Sequence, residues 1–387
     1  MRGRATRTTD QRVRVLFVTH NAPRHAGDAP GSFVLRLAVA LRDAGVTVEI
    51  IAPHAAGLTA HDTIEGIRIE RVRYAPDARE TLAYEGTMAQ QVAASWTAKR
   101  DLLGLMLALQ RATARRASEF DVVHAHWWFP TGLPLAFGGR GGRPLVVTLH
   151  GSDVRLAGGS LARRLFRAVA ARTARITAVS EWLAQETVRL TGATRPTVVP
   201  MPVDTSVFTP GTGLRAGMLF VGKLDAQKGL RVLLDALPTI SASVGMLTIV
   251  GDGPDAAALR AHAVARGVQD RVQWLGVLPQ PSLVPLYQQA RVVVLPATAP
   301  EGLGLVAVEA QLCGAPVVAS ATGGLVDVVG GAPTSRLVPP VDVAALSTAI
   351  SEVSALAAPT ALAPTIARFT PAAVAAQYAA LYREVTA

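Results

Sequence analysis

Two carboxylates, Glu301 and Glu309, lie on either side of a predicted helix start. Apolar runs over 292–296 and 317–319 predict buried parallel strands before and after that helix. Free backbone N–H groups at a helix N-terminus bind phosphate, and carboxylates accept hydrogen bonds from vicinal hydroxyls. If the whole segment is helical, the two carboxylates stand roughly 12 Å apart. Such a helix would hold a diphosphate at its tip, with a sugar at Glu301 and a ribose at Glu309.

Lys223 and Lys228 follow an apolar run over 218–221, at the carboxyl end of a predicted strand. Two cations at that place would neutralise a leaving diphosphate, as a metal ion does elsewhere. The chain contains no Asp-x-Asp pair that would seat a divalent ion. We therefore expect neither a metal nor a cofactor, although exposed lysines are more often simply solvated.

Histidines follow two further predicted strands. His150 stands beside a glycine at a strand's carboxyl end, where it is expected to face a ligand cleft. His124 and His126 share one face of their strand, so a metal pair is conceivable, but no third ligand is evident. Trp127 and Trp128 follow, and exposed tryptophans there would stack on a sugar or touch lipid.

The net charge of +10 lies entirely in the first half of the chain. Residues 1–205 hold 27 Lys and Arg against 17 Asp and Glu, whereas residues 206–387 hold 11 of each. This asymmetry predicts an anionic partner for the first domain. No zinc-finger spacing or aromatic RNA motif accompanies the charge, so an anionic acceptor or lipid surface is favoured over nucleic acid. An arginine-rich surface that serves solubility alone is the other interpretation.

The segment 161–175 has the pattern of a basic amphipathic helix. Its apolar residues fall on one face and its arginines on the other: Leu165, Phe166 and Val169 against Arg163, Arg164, Arg167 and Arg175. Ordinary packing of such a helix on a sheet is favoured, with membrane contact as an additional hypothesis.

Strands alternate with helices in two series, which predicts an α/β fold of two doubly wound parallel-sheet domains. Predicted strands occupy 13–19, 46–52, 122–126, 145–149 and 176–179, then 218–221, 247–250, 272–275, 292–296 and 317–319. Predicted helices occupy 32–44, 88–118, 160–173, 230–237 and 255–266. The proline-rich stretch 200–211 is predicted to be a hinge or linker. The lone G-x-G at 251–253 is not a dinucleotide fingerprint, which argues against a dehydrogenase.

The predicted organisation is a basic mobile tail (1–12), an acceptor-side Rossmann-like domain (13–199), a nucleotide-sugar domain (200–365) and a C-terminal segment (366–387) whose helix returns to the first domain. The single cysteine, Cys313, indicates a reducing compartment and a buried apolar position. No apolar run reaches the ~20 residues of a membrane span, and the first residues lack a signal-peptide core. We expect a cytoplasmic protein, with the inner face of the membrane as an additional location.

Together these residues resemble the retaining glycosyltransferases of family 4, which have the GT-B fold of two facing Rossmann-like domains. The resemblance covers nearly the whole chain. It rests on the E-x7-E element in the context PEGLGLVAVEAQLCGAPVVAS, and on VGKLDAQKG, IVGDGP, VQWLGVLP, VVTLHGSD and VPMPVDTSVFTP. The first loop resembles the branch with Gly-x-Phe before its first helix, here Gly31-Ser32-Phe33.

The resemblance implies roles for single residues. Glu301 would hold hydroxyls of the donor sugar, and Glu309 would hold the ribose. Lys223 and Lys228 would bind the diphosphate, and His150 would lie beside the donor sugar. The other implied donor-binding residues are Gly31 and Gly222, the backbone N–H groups of Leu303, Gly304 and Leu305, and Gly276 and Val277 near the base.

The implied activity is transfer of a hexose, with retention, from a nucleoside-diphosphate sugar to an unidentified acceptor: a glycolipid, a polysaccharide precursor or a small molecule. The alternative is a non-catalytic sugar-nucleotide-binding or membrane-docking protein of the same fold. The chain departs from the family pattern in three places, of which the first concerns phosphate binding and the last two concern the acceptor side more than the donor site. Many members have arginine in place of Lys223, the usual Asn-Gly before Val203 is Met201-Pro202, and the first loop lacks a double glycine.

Overall fold

The computed structural model describes residues 12–28, 30–84, 88–356 and 364–387. The strands are β1 (Arg14–Val18), β2 (Thr47–Pro53), β3 (His61–Ile64), β4 (Ile67–Val72), β5 (Val122–His126), β6 (Leu145–Leu149), β7 (Arg175–Ala178), β8 (Thr197–Val198), β9 (Met218–Val221), β10 (Leu247–Val250), β11 (Val272–Gly276), β12 (Val292–Leu295), β13 (Val317–Ser320) and β14 (Arg336–Val338). The α-helices are α1 (Ser32–Asp43), α2 (Met88–Ala94), α3 (Trp96–Arg116), α4 (Leu133–Phe137), α5 (Ser152–Leu156), α6 (Ser160–Ala170), α7 (Glu181–Thr191), α8 (Leu230–Ala236), α9 (Ala256–Ala265), α10 (Gln280–Gln289), α11 (Leu305–Leu312), α12 (Leu325–Val329), α13 (Val343–Ala355) and α14 (Pro371–Thr386).

The strands form two sheets, as the alternating pattern predicts. The first has eight strands in the order β3-β4-β2-β1-β5-β6-β7-β8, and the second has six in the order β11-β10-β9-β12-β13-β14. All pairs are parallel except β3 with β4. Central strands β5, β6 and β12 are fully buried, and apart from the two histidines of β5 they are largely apolar, because helices cover both faces of each sheet. In such sheets, ligands bind beyond the carboxyl ends of the strands.

Helix α11 begins only at Leu305, so the assumption of a helix from Glu301 to Glu309 is wrong. Gly304 precedes the helix with φ +88°, and a Cβ there would lie 2.6 Å from Leu325 Cδ2. Only glycine fits that left-handed backbone beside Leu325. Glu301 therefore lies in a loop before the helix, while Glu309 is buried on the helix itself.

The basic segment 161–175 packs as an ordinary helix. In α6, Phe166 and Val169 are buried, and Phe166 packs edge to face on Trp128. Arg175 lies on β7 rather than on the helix. The expectation that Trp127 and Trp128 are exposed is wrong, because both are buried.

The connection between the sheets is packed. Met201, Val203 and Phe208 are buried, and the Val203 N–H donates to the Phe369 carbonyl. Beyond that carbonyl, α14 packs against α1 and against the first sheet. In the described part of the chain, no helix has the length and hydropathy that a membrane span requires. Eleven of the twelve residues of the predicted basic tail, 1–11, lie outside the described residues.

Candidate active site

The loop before α11 lies directly against the carboxyl end of β6. A Cβ added to Gly302 would be 2.0 Å from the carbonyl oxygen of His150, so the backbones of the two domains touch here and exclude any side chain. Ser180 Oγ donates to the Gly302 carbonyl at 2.6 Å, and Arg155 Nη1 donates to the Pro300 carbonyl at 3.1 Å. The first domain therefore holds this loop, and with it Glu301, in place.

Lys228 and Glu301 form an ion pair at this junction, with Nζ and Oε1 2.8 Å apart. Asp225 caps the short turn that carries Lys228, accepting from the backbone N–H groups of Gln227 and Lys228. Gly229 follows with φ +69°, and a Cβ there would lie 1.9 Å from the Pro296 carbonyl oxygen. This close backbone contact places the lysine at the carboxyl end of β12, opposite the glutamate.

The backbone N–H groups at the start of α11 lie beside this ion pair. The backbone N–H groups of Leu303, Gly304 and Leu305 donate to no protein acceptor among the residues that the structure describes. Free N–H groups at a helix N-terminus, next to a lysine, favour a phosphate group. Lys223 is exposed on the loop after β9, at the same edge of the second sheet. The sheet brings the two predicted lysines to this edge, and only Lys228 is paired with Glu301.

Glu309 is held by side chains from α10. Its Oε1 accepts from Gln280 Nε2 at 3.0 Å, and its Oε2 accepts from the Tyr287 hydroxyl at 3.1 Å. The Gln280 side-chain carbonyl in turn accepts from Arg36 Nη1 of the first domain at 3.0 Å. Burial raises the pKa of Glu309, and the neighbouring Arg36 charge opposes that rise. A carboxylate with both oxygens oriented in this way is ready to accept further hydrogen bonds from vicinal hydroxyls.

His150 is packed among rings at the end of β6. Its ring lies 4.3 Å from that of Trp127 and 5.1 Å from that of Phe33, and its Nε2 is 3.1 Å from His126 Nδ1. Burial lowers the pKa of His150 well below its ordinary value, and His126 and His20 add to this. The imidazole is therefore neutral at neutral pH.

The histidines of β5 do not form a metal site. His124 Nδ1 is hydrogen-bonded to the Tyr382 hydroxyl and His124 Nε2 to Thr148 Oγ1, each at 2.7 Å. With both nitrogens engaged, His124 has no lone pair left for a metal in this arrangement, which argues against the metal pair. The His126 ring stacks on the His124 ring, with centroids 4.5 Å apart. These residues instead link β5 to α14.

Asp153 fixes the turn that carries His150. It is buried and accepts hydrogen bonds from the backbone N–H groups of His150, Gly151 and Trp128. Burial raises its pKa to about 6. Its oxygens are thus directed at the backbone of their own turn.

A histidine-carboxylate cluster near β2 is structural. His54 is hydrogen-bonded to Glu80 at 2.5 Å and to the Leu58 carbonyl at 2.7 Å, and Glu80 also accepts from the Tyr74 N–H. Asp77, the third member, pairs with Arg73. The hydrogen bonds of the group are satisfied without an ion.

The remaining predicted donor-binding residues are glycines and one valine. Gly31 precedes α1 with φ +70°, and a Cβ there would meet the Asn21 carbonyl oxygen at 2.5 Å. A Cβ added at Gly222 would lie 3.7 Å from Lys228 Cδ. Gly276 ends β11 with φ +69°, and Val277 after it is 73% exposed.

Sequence reasoning did not identify Arg36, Gln280 and Tyr287 around Glu309, nor Ser180, and it gave His126 no role beside His150. Gln280 and Tyr287 share α10, whereas the others come from separate elements, and no spacing in the sequence connects these elements. Only the fold brings them to the site.

Two family models match the chain. A model described as Glycosyltransferase Family 4 covers residues 31–207, and one described as Glycosyl transferases group 1 covers residues 215–355. The D-inositol 3-phosphate glycosyltransferase of Xylanimonas cellulosilytica is 34% identical over 366 residues, with 83% of each chain covered. That of Kribbella flavida is 31% identical over 354 residues, covering 81% of this chain and 80% of that protein.

Solved structures show the same fold. Sucrose-phosphate synthase from Thermosynechococcus elongatus superposes with a TM-score of 0.75 at 24% identity, covering 96% of this chain and 99% of that one. Anabaena HepE in complex with UDP and glucose superposes with a TM-score of 0.69 at 19% identity, covering 95% and 99%. With both domains matched, the chain belongs to the family 4 glycosyltransferases and has the GT-B fold.

Proposed function

We propose that this glycosyltransferase moves a hexose from a nucleoside-diphosphate sugar to an acceptor hydroxyl, with retention of anomeric configuration and without a metal ion. The observation that supports this most is the ion pair of Lys228 with Glu301, which lies beside the free N-terminus of α11 and against the carbonyl of His150. A phosphate-binding position, a sugar-binding carboxylate and the opposite domain meet there.

The donor would lie along this edge of the second sheet. The diphosphate would accept from the N–H groups that begin α11 and would meet Lys228 and Lys223. Once a phosphate shares the charge of Lys228, Glu301 is able to bind sugar hydroxyls. Glu309 would bind the ribose, and the base would lie at Gly276 and Val277. Two lysines and a helix N-terminus would supply the positive charge that a metal supplies elsewhere.

Retention is supported by the groups of the first domain next to the proposed sugar position at Glu301. The first domain contributes a backbone carbonyl, that of His150, and a neutral imidazole. The adjacent carboxylate, Asp153, is turned into its own loop and is poorly placed to act as a nucleophile. In the proposed step, the bond from the anomeric carbon to phosphate breaks and the acceptor oxygen bonds from the same face. The hydroxyl proton passes to the leaving phosphate.

The proposed acceptor is a hydroxyl compound that carries negative charge. The curated relatives are named for D-inositol 3-phosphate, a phosphorylated polyol. The net positive charge of this chain lies in residues 1–205, a range that includes the predicted acceptor-side domain (13–199). Arg155 is exposed at the junction of the domains, where an acceptor would enter.

Release of nucleoside diphosphate tests the proposal. We expect one of UDP-, GDP- or ADP-glucose to be hydrolysed slowly, to react faster with inositol 3-phosphate, and to yield an α-linked product from an α-linked donor by NMR. Activity should persist in EDTA and fall in Glu301→Gln. Calorimetric binding of a donor without any release of diphosphate would instead support the non-catalytic alternative. Complete loss in EDTA with recovery in magnesium would contradict the metal-free mechanism.

A further inference from the structure

Helix α3 exposes an apolar stripe on the surface of the first domain. Trp96 is 83% exposed, Leu103 60% and Leu107 46%, and Arg100 and Arg111 are exposed beside them. We call these five residues the α3 stripe. Their spacing of four, three, four and four residues places them on one face of the helix. A run of large apolar side chains on a monomer surface is typical of an interaction site.

The α3 stripe lies on a different face of the helix from the one that packs on the rest of the first domain. Leu102, Leu105 and Leu109 are buried toward the first sheet and its neighbouring helices. The helix is therefore apolar on two sides, and only one of them is needed for folding. The exposed side has no structural partner among the residues that the structure describes.

The charge around the stripe is positive. The Lys99 ammonium lies 4.2 Å from the Trp96 ring centroid, and the one acidic residue of α3, Asp101, is buried and paired with Arg79. Among the described residues, the acidic partners of the helix lie at its far end, where Glu70, Glu49 and Glu119 pair with its last two arginines. A second copy of the chain would place like charges opposite one another, whereas an anionic lipid surface would be complementary.

We propose that the α3 stripe docks the enzyme on an anionic bilayer, with the helix lying in the interface and the arginines among the headgroups. Tryptophan and leucine with flanking arginine and lysine are the residues that interfacial helices use. Because α3 runs back from the carboxyl edge of the sheet to the start of β5, Trp96 lies toward the edge that carries His126 and His150. Docking would thus turn the site toward the lipid surface. The inference concerns where the enzyme works and does not depend on its donor or acceptor.

Helix α6 provides a matched control. It carries exposed Arg163 and Arg164, and on its apolar face Phe166 and Val169 are buried, so that Leu161 is its one exposed large apolar residue. If general surface charge held the protein on a membrane, removing these two arginines would weaken binding as much as removing two from α3.

Flotation with vesicles tests the proposal. The wild-type chain should bind vesicles of phosphatidylglycerol and phosphatidylcholine at low salt, should not bind phosphatidylcholine alone, and should be released at high salt. The double variant Arg100→Gln, Arg111→Gln should partition about 30-fold more weakly, which is about 1 kcal/mol for each arginine. Trp96→Gln with Leu103→Gln should weaken binding comparably. Arg163→Gln with Arg164→Gln should leave it within about threefold.

The depth of insertion gives a second readout. Brominated lipid should quench part of the tryptophan fluorescence in the wild type and much less in Trp96→Phe, since Trp127 and Trp128 are buried and Trp182 and Trp274 are half-buried on other elements. Equal weakening in the α3 and α6 variants would overturn the proposal, and so would binding that persists without the stripe. Absence of binding to anionic vesicles, or a dimer that dissociates when the stripe is changed, would overturn it as well. All substituted positions are exposed, so an unchanged urea midpoint verifies folding.

Discussion

The hydrogen bond between His126 and His150 determines which nitrogen of His150 carries its proton. His126 Nε2 is buried without a partner among the described residues. A buried N–H without an acceptor is rarer than an acceptor without a donor, so His126 holds its proton on Nδ1 and donates it to His150 Nε2. A neutral His150 that accepts at Nε2 must carry its own proton on Nδ1. His150 is then a hydrogen-bond donor on the side away from His126.

Replacing His126 tests this positioning role. His126→Asn keeps an N–H near the place of Nδ1 and should retain most of kcat. His126→Phe removes it and should lower kcat about fivefold with little change in KM, since one hydrogen bond contributes about 1 kcal/mol. Nitrogen NMR of labelled histidine should show a Nδ1-protonated His150 in the wild type and in the Asn variant only. Equal kcat and equal spectra in both variants would contradict the assignment.

Lys228 and Lys223, the two lysines of the proposed phosphate site, should contribute unequally to turnover. Lys228→Ala removes a cation and leaves Glu301 without its partner, so we expect turnover to fall by about 3–4 kcal/mol in activation free energy. Lys223→Ala should lower turnover strongly, but less, because Lys223 is exposed and not part of that pair. Steady-state rates with the donor measure both, and Arg231→Ala on α8 is a control for loss of an exposed charge. Unchanged turnover in both lysine variants would refute their role.

At the scale of elements, the loop before α11 and the helix itself carry glutamates with different proposed roles. Glu301 lies before the helix at the domain junction, and Glu309 lies one turn into the helix, where α10 holds it. Glu301→Gln should lower turnover and change the choice among donor sugars. Glu309→Gln should mainly weaken the binding of bare nucleoside diphosphate, and Tyr287→Phe should weaken it less. Calorimetry with the diphosphate distinguishes them, and equal losses in both glutamate variants would show that the tasks are not divided.

Elements with strong local signals could be predicted, and elements without them could not. The buried strands β5, β6, β9 and β10 match their apolar runs residue for residue. Helix α10 was not predicted because prolines at 281 and 285 suggest a turn; one stands in its first turn, where proline is tolerated, and the other lies inside the helix. The edge hairpin β3–β4 is short and half exposed, so its pattern is weak.

The same distinction applies to the site. Glu301 and the N–H groups before α11 were recognised because they are neighbours in sequence and glycine marks the turn. Arg36 is different: it lies on α1, 273 positions before Glu309, and the two meet only through Gln280 once both domains have folded. Residues whose role depends on such distant contacts leave no local pattern.

At the scale of the whole molecule, the two domains are joined by contacts at the site itself. Arg36 reaches Gln280, Ser180 reaches Gly302, and the backbone N–H of Trp182 donates to Asp327 on α12. The C-terminal helix α14 adds a further contact with the first domain, because the Tyr382 hydroxyl is hydrogen-bonded to His124 Nδ1. A change in the angle between the domains must therefore move Glu301 relative to His150.

Four buried histidines make the stability of the fold depend on pH. Burial lowers the pKa of His20 to about 4 and that of His126 to about 3, and it lowers those of His124 and His150 well below the ordinary value. In the unfolded chain these groups bind protons below about pH 6.5. The unfolded state therefore takes up more protons as pH falls, and stability decreases below that pH.

Between pH 7 and 5.5 we expect each histidine to remove about 1 kcal/mol from the free energy of unfolding. Burial raises the pKa of Asp153 to about 6, and it raises those of Glu309 and Asp327, so these carboxyls stabilise the fold as they protonate and offset part of the loss. The histidines outnumber them, and the net change should be a decrease. Urea unfolding at both pH values measures it, and His20→Gln should reduce the decrease by roughly a quarter, since one of four titrating groups is removed. A midpoint that stays constant or rises on acidification would show that the histidines are already protonated in the folded protein.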